Sequence, residues 1–417
     1  PRTGLKAARV PITRKVAGVK ITEVQVLRLT GPAPDRPARY RQSRMLHHYP
    51  EYAHPSDWDT APQHEGGPQQ VVRQAPGEIS GHYVRIHAGE HVGLYGPVDR
   101  AAADLVVTDL REFLTGKDPR LVTVLWDQMY RRDRHARSSH PMMATSAVDN
   151  AIWDLLGRYH GVPVCQLLGG PREPTIEAYA STLGTSLAAG AAEGTAQELI
   201  EAGFQHQKWF FGYGPSDGPD GLAANVDLAR RLRTAVGEDV ELSYDAFMSW
   251  TSTYAREWLR RAAPYRPYWL EEPLPADQLE AMARLAQDSP VPLAAGEHLY
   301  SRWEAHRYLQ SGALAVLQTD PEWCGGVSEL LQISTAASLW GLPVIPHGHG
   351  IRASLHVVAS RPPSVCPKIE YLVYHVPTRL HFELDPPTPV DGRVAISTAP
   401  GFGIELDQPK ITETQLL

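Results

Sequence analysis

Apolar and polar residues alternate from Ile21 to Leu29 (ITEVQVLRL), a period that predicts a half-buried strand. From roughly Gly31 to Gly81 the chain turns to Pro, Gly, His, Gln and Asp with no period. A stretch of that length inside a compact enzyme reads as a functional lid. His82 to Pro97 (HYVRIHAGEHVGLYGP) predicts two strands joined at Ala88-Gly89. Helical patterning follows from Leu121 to Met129, so the first third reads as an α+β domain. The clearest helix spans Ala144 to Gly161, where Ala144, Ala147, Val148, Ala151, Ile152 and Leu155 form one apolar stripe. Gly161, with Pro163 two residues on, stops it.

Beyond this helix the rhythm changes. Short apolar runs (VELSYDA, YWLEEP, VPLAAGEH, AVLQTDPEW, LPVIPHGHG and KIEYLVYH) alternate with helical stretches at Leu222–Val236, Tyr254–Ala263, Glu304–Leu309 and Leu330–Leu339. Such alternation predicts βαβ units and a parallel sheet. The polar residues that close the runs are Asp245, Glu271, Glu297, Asp320, His347 and Glu370, separated by 26, 26, 23, 27 and 23 residues. One strand, one helix and two connections fill about that length, so a chemically active residue recurs at the C-terminal end of each strand. That is the face on which (β/α) barrels build their active sites. A strand-end carboxylate also caps the following helix in many folds, but capping does not account for a Glu-Glu pair and a His in the same series.

Three carboxylates converging on one mouth raise each other's pKa unless a cation lies between them. An all-oxygen donor set suits Mg²⁺ better than zinc, which makes Asp245, Glu271 and Glu297 candidate ligands. In Glu271-Glu272 either carboxylate is eligible, and strand alternation lets only one of them face the ion.

Composition narrows the class. The chain has 417 residues, 42% hydrophobic and 21% charged, with a net charge of −7 that is not gathered in runs. Nucleic-acid binding normally leaves a basic footprint, which is missing. Cys165, Cys324 and Cys366 are far apart and lack metal or disulfide spacing, as in a reducing compartment. With no apolar run of bilayer length and no apolar segment behind the basic stretch Pro1–Lys20, the expectation is a cytoplasmic protein without a membrane partner.

The ordered set Asp245, Glu271-Glu272-Pro273, Gly296-Glu297, Asp320 with Gly325-Gly326, and His347 resembles the enolase superfamily, in particular its mandelate racemase subgroup. AVDNAIWDLLGRYHGVPVCQLLGG (147–170) is similar to the subgroup's helix leading into the barrel, and GRVAISTAPGFGIELD (392–407) to the strand that returns to its capping domain. The resemblance implies an α/β fold: a modified TIM-type (β/α) barrel with an N-terminal α+β capping domain completed by the C-terminal segment. It divides the chain into a lead-in (1–18), the capping domain (19–140), the barrel (141–377) and the return (378–417). It implies Mg²⁺ on Asp245, Glu271 and Glu297, a His347–Asp320 dyad as general base, and Glu370 as the protonated partner of the substrate carboxylate. Self-association as a dimer or octamer is a further expectation. Enolase-superfamily sites pair a Lys or His base with Mg²⁺ to stabilise the enediolate left when a proton α to a carboxylate is removed.

Departures from the subgroup select the reaction. Racemases of the subgroup carry Lys-x-Lys on the second barrel strand; here Lys208 matches the first Lys and Phe210 stands in place of the second. A phenyl ring cannot take a proton, so a two-base exchange loses a partner. Related cycloisomerases and dipeptide epimerases need a Lys where this chain has Trp323. One base suffices for dehydration, and the pattern resembles the acid-sugar dehydratase branch typified by rhamnonate dehydratase, echoed in KWFFGYGPSDG and Gly296-Glu297-His298. The expected substrate is a sugar acid and the product a 2-keto-3-deoxy acid. Lys208 is placed near the substrate carboxylate, with a surface Lys as the other reading. His298, His349 and Trp323 are candidate substrate contacts, as are His47 and His48 in the lid. The lid also holds Tyr49, Tyr52, His54, Trp58 and His64, a set that equally describes a solvated loop. Tyr95 and Asp99 are further candidates. Two competing readings stay open: a racemase or epimerase of an α-hydroxy or sugar acid, and a Mg²⁺-binding barrel without catalysis.

Overall fold

The computed structural model describes residues 19–34, 42–49 and 77–417. Most of the expected lid, including Tyr52, His54, Trp58 and His64, lies outside the described residues. Three antiparallel strands, β1 (Ile21–Pro32), β2 (Glu78–Ala88) and β3 (His91–Val98), form the N-terminal sheet. β1 buries side chains on both faces. Ile21, Val24 and Val26 join the main core, whereas Leu27 and Leu29 pack with Ile79, Tyr83 and Phe382. The second face is therefore covered by the C-terminal segment, and β1 runs longer than its alternating stretch.

The helix Ser139–His160 packs along β3 and ends at Gly161 (φ +68°), whose N–H caps the Arg158 and Gly157 carbonyls. Its start lies five residues before the apolar stripe begins. Gly93 on β3 allows the close approach: a Cβ there would lie 2.2 Å from the Ala151 carbonyl oxygen. The same helix grips the barrel, because Asn150 Nδ2 donates to the Pro321 carbonyl (3.1 Å) and Asp149 accepts from the Ser328 N–H (2.9 Å) and hydroxyl (2.7 Å).

The second sheet is the barrel wall. Parallel strands β4 (Thr175–Ser181), β5 (His206–Phe210), β6 (Glu241–Asp245), β7 (Leu270–Glu271), β8 (Leu293–Ala295) and β9 (Val316–Leu317) pair in sequence order. Val344 then bridges to Leu317 in parallel, its N–H donates to the Val365 carbonyl (2.8 Å), and β10 (Ile369–Leu372) pairs back onto β4. Helices at Gly218–Val236, Ser252–Ala262, Leu279–Gln287, Arg302–Ser311 and Gly326–Leu339 fill the intervals between barrel strands. None of the described helices is long and apolar enough to cross a membrane.

The return differs from its expected form. Within 392–407, strand β12 (Arg393–Ala395), with its hairpin partner β11 (Pro389–Val390), pairs antiparallel with the lower half of β4 instead of the capping sheet. Its buried Val394 supplies the apolar contact that holds it there. The strand that completes the capping sheet is β13 (Glu413–Leu416), antiparallel to β1 with Leu27 opposite Leu416. All four β13 residues are exposed, so backbone hydrogen bonds hold this edge strand and no hydrophobic period marks it.

Candidate active site

Strand register builds the mouth. Phe210, Asp245 and Glu271 are cross-strand neighbours at the ends of β5, β6 and β7. Lys208 and Phe210, two residues apart on β5, project to the same side. Lys208 is buried and not a surface residue. Its Nζ lies 3.2 Å from Asp245, 2.8 Å from Glu370 and in direct contact with Glu271. Phe210 is buried 5.4 Å below the same ammonium and packs toward Phe247, so no proton acceptor occupies its position.

Glu271 and Glu272 both reach the mouth. The strand stops at Glu271, and Glu272 leaves it with a left-handed backbone (φ +38°), so strand alternation does not turn it away as expected. Glu271 Oε2 accepts from Trp269 Nε1 (3.0 Å) and Gln318 Nε2 (2.7 Å), while Oε1 faces Lys208. Glu272 Oε1 pairs with His298 Nδ1 at 3.2 Å. Glu272, Glu297 and His298 offer ligand atoms within 4.8 Å of one another. The strained turn at Glu272 left no mark in the sequence.

These carboxylates are poised for a cation. Burial pushes Asp245 up to about 6 and Glu297 up to about 7; burial, with Asp245 and Glu370 adding to it against the pull of Lys208, pushes Glu271 up to about 8. Buried oxygen donors that cannot all ionise unaided fit a hard divalent ion. Burial also disfavours the charge on His298, but Glu272 and Glu297 outweigh it and raise the imidazole to about 9.

His347 Nδ1 lies 3.0 Å from Asp320 Oδ2, and its Nε2 is 3.4 Å from Glu297. Burial opposes protonation of His347, yet Glu297 and Asp320 lift it to about 10. Glu370 differs from the expected protonated form. Burial favours its neutral state, but Lys208 and His347 prevail and hold it at about 2, and its Oε2 accepts the Gly348 N–H at 2.9 Å. The reason is Lys208, whose ammonium the sequence could not place against it.

Aromatic rings form one wall. Trp323 packs against His298 (5.4 Å), His347 (4.9 Å) and His349 (5.1 Å). Behind it Glu322 takes a hydrogen bond from Tyr95 (3.1 Å), pairs with His349 Nδ1 (2.8 Å) and contacts Arg379. Neither Glu322 nor Arg379 stood out in the sequence; Glu322 sits two residues after Asp320, and Arg379 has no periodic neighbour. Asp99 lines a small cleft with Val98, Glu322 and Trp323. Of the lid, residues 42–44 clip onto the barrel: Gln42 accepts from Gly184 N–H (3.1 Å), Ser43 and Ser249 share a hydroxyl hydrogen bond (2.6 Å), and Arg44 lies 4.0 Å over Phe247. His48 is exposed on the 3₁₀ turn Met45–His48, and the side chain of His47 is outside the described set.

Comparisons with known proteins point the same way. Residues 191–410 match the family model of the enolase C-terminal domain-like proteins, and residues 86–169 that of the mandelate racemase/muconate lactonizing enzyme N-terminal domain. An L-rhamnonate dehydratase from Saccharopolyspora erythraea is 35% identical over 314 residues, covering 73% of this chain and 77% of that protein. The L-rhamnonate dehydratase of Gibberella zeae superposes with a TM-score of 0.78 at 27% identity, covering 95% of this chain and 96% of the other. A crystal structure of rhamnonate dehydratase from the same organism complexed with Mg gives a TM-score of 0.76, with the same identity and coverage. A racemase from Streptomyces coelicolor with bound magnesium gives 0.73 at 25% identity, covering 94% of this chain and 98% of that one.

Proposed function

The chain belongs to the mandelate racemase/muconate lactonizing enzyme family of the enolase superfamily, and we propose that it acts as a Mg²⁺-dependent sugar-acid dehydratase with His347 as its base. The observation that carries this reading is a His–Asp dyad beside a carboxylate cluster, with a phenyl ring at the position a second base would need. Asp245, Glu271 and Glu297 are the proposed Mg²⁺ ligands, with Glu272 and His298 orienting Glu297. Register with Asp245 favours Glu271 over Glu272. The chemistry supplied by bound Mg²⁺ is positive charge against the charge that builds on the substrate carboxylate.

The chain's own groups do the rest. Asp320 accepts Nδ1–H of His347 and leaves Nε2 to take the α-proton. Charge balance on Glu297 removes the pull that holds His347 protonated. The β-carbon–oxygen bond breaks as the α-carbon electrons form the double bond; the hydroxyl leaves as water, taking up a proton for which protonated His347 is the proposed donor. The enol then becomes a 2-keto-3-deoxy acid. Lys208, paired with Glu370, supplies a buried positive charge for the substrate carboxylate. Trp323, His298 and His349 form the wall against the sugar chain, and His47 and His48 stay as candidate lid contacts. We further propose the division into capping domain, barrel and return given above, and a homo-oligomeric assembly.

A screen of aldonates and aldarates, rhamnonate and its stereoisomers foremost, with 2-keto acid formation as the readout, tests the reading. A Mg²⁺-dependent hit lost in EDTA supports it. Inversion of the α-carbon without keto acid would favour the racemase alternative, which the Streptomyces coelicolor neighbour keeps in view.

A further inference from the structure

His349 follows the base by two residues, yet its surroundings are its own. Its Nδ1 is 2.8 Å from Glu322 Oε2, and Glu322 is in turn held by Tyr95 and Arg379. Arg379 also donates to the Pro97 carbonyl, so the pair is anchored in both the hairpin β2–β3 and the barrel. A carboxylate cannot donate, so the Nδ1 contact fixes the proton on Nδ1. Burial, with Arg379 next in effect, then keeps the ring neutral, its pKa lowered to about 3. Nε2 is left as an acceptor with no hydrogen-bond partner among the described residues. Beside it stands Trp323, whose buried indole N–H also lacks a partner among the described residues. Their rings are 5.1 Å apart, and Trp323 also touches the base His347. An acceptor and a donor carried on two adjoining rings of an otherwise aromatic wall match the two-way hydrogen bonding of an alcohol.

We propose that His349 and Trp323 read one hydroxyl of the substrate's distal chain, and that Glu322 and Arg379 are positioning residues that hold His349 in its Nδ1–H form. This rests on the sugar-acid reading above, but half of it is testable without turnover. Leaving such a group unpaired when the hydroxyl is missing costs far more than losing a contact made in water.

The test uses the full-length protein uniformly ¹⁵N-labelled at histidine, with the His349 signals assigned by difference from His349→Phe. The expected wild-type pattern is a protonated Nδ1 and an unprotonated Nε2, lost or mixed in Glu322→Gln. A wild-type Nε2–H form, or no change in Glu322→Gln, overturns the positioning claim. In parallel, His349→Phe, which leaves the Glu322–Arg379 pair intact, is assayed on the accepted acid and on its monodeoxy analogues. KM is expected to rise at least about tenfold with a smaller fall in kcat, and the preference for the parent over one particular deoxy acid to collapse. An unchanged preference overturns the hydroxyl reader. A wild type that dehydrates no sugar acid sinks the proposed function, and the tautomer signal still decides the role of Glu322.

Discussion

The imidazole of His347 and the carboxylate of Asp320 meet at 3.0 Å, both buried, and Asp320 is not free to turn away. Its oxygens also accept the backbone N–H of Gly350 (3.0 Å) and of Glu322 (2.7 Å). The backbone therefore aims the carboxylate and the carboxylate aims the imidazole. Asp320→Asn is expected to lower kcat by about 10²- to 10⁴-fold, the usual share of general-base catalysis. Mg²⁺ affinity should hardly move, since Asp320 touches none of the proposed ligands. Steady-state kinetics and titration calorimetry together check this; a large loss of metal affinity would contradict the assignment.

Glu271 and Glu272 are separable by metal binding. Glu271→Gln removes a proposed ligand and should weaken Mg²⁺ binding by more than about 100-fold. Glu272→Gln disturbs only the partner of His298, for which about 10-fold is expected. Calorimetry with MgCl₂ on both variants reads the order directly, and the reverse order would move the ligand to Glu272.

Proton and metal compete for the same oxygens. Asp245, Glu271 and Glu297 bind protons more tightly in the folded chain than their ordinary values of 3.8 and 4.5, reaching about 6, 8 and 7. Their contribution to metal-free stability is thus complete below about pH 4 and is lost as pH rises through those values. Mg²⁺ must displace the same protons. The gain in Tm on adding Mg²⁺ should therefore grow from about pH 5.5 to about pH 8.5. Thermal denaturation at matched ionic strength measures it, and a gain that is flat or shrinks with pH would place the metal elsewhere.

Lys208 sets one buried ammonium against three buried carboxyl groups, those of Asp245, Glu271 and Glu370. Lys208→Met leaves them facing one another, and in EDTA the fold should lose about 3–5 kcal/mol, the usual cost of stranding one side of a buried ion pair. Urea denaturation with and without Mg²⁺ gives the number. A loss under about 1 kcal/mol would mean that the pairs carry little of the stability.

Legibility in the sequence followed repetition. The interval between Asp245, Glu271, Glu297, Asp320, His347 and Glu370 announced the barrel because each unit reuses one strand end: β6 to β9 deliver the first four, the segment through Val344 delivers His347, and β10 delivers Glu370. The helix ending at Gly161 was visible because an apolar stripe and a left-handed cap coincide. What failed to show depends on contacts without period. β13 is an exposed edge held by backbone pairing, and β12 found β4 through a single buried Val394. The left-handed turn at Glu272 and the ion pair of Glu322 with Arg379, 57 residues apart, arise only when distant loops close. Glu370 illustrates the same limit: its position was legible, its charge state was not, because that depends on an ammonium brought in by another strand.

The central claim, that His347 removes the α-proton in a Mg²⁺-dependent dehydration, is tested most directly by ¹H NMR in D₂O. The wild type and His347→Asn are incubated with an accepted sugar acid and Mg²⁺, following both the α-proton and the 2-keto-3-deoxy product. The expected result is product from the wild type, no inversion of recovered substrate, and neither exchange nor product from His347→Asn. Product formed by His347→Asn at a wild-type rate, or epimerised substrate from the wild type, would contradict it.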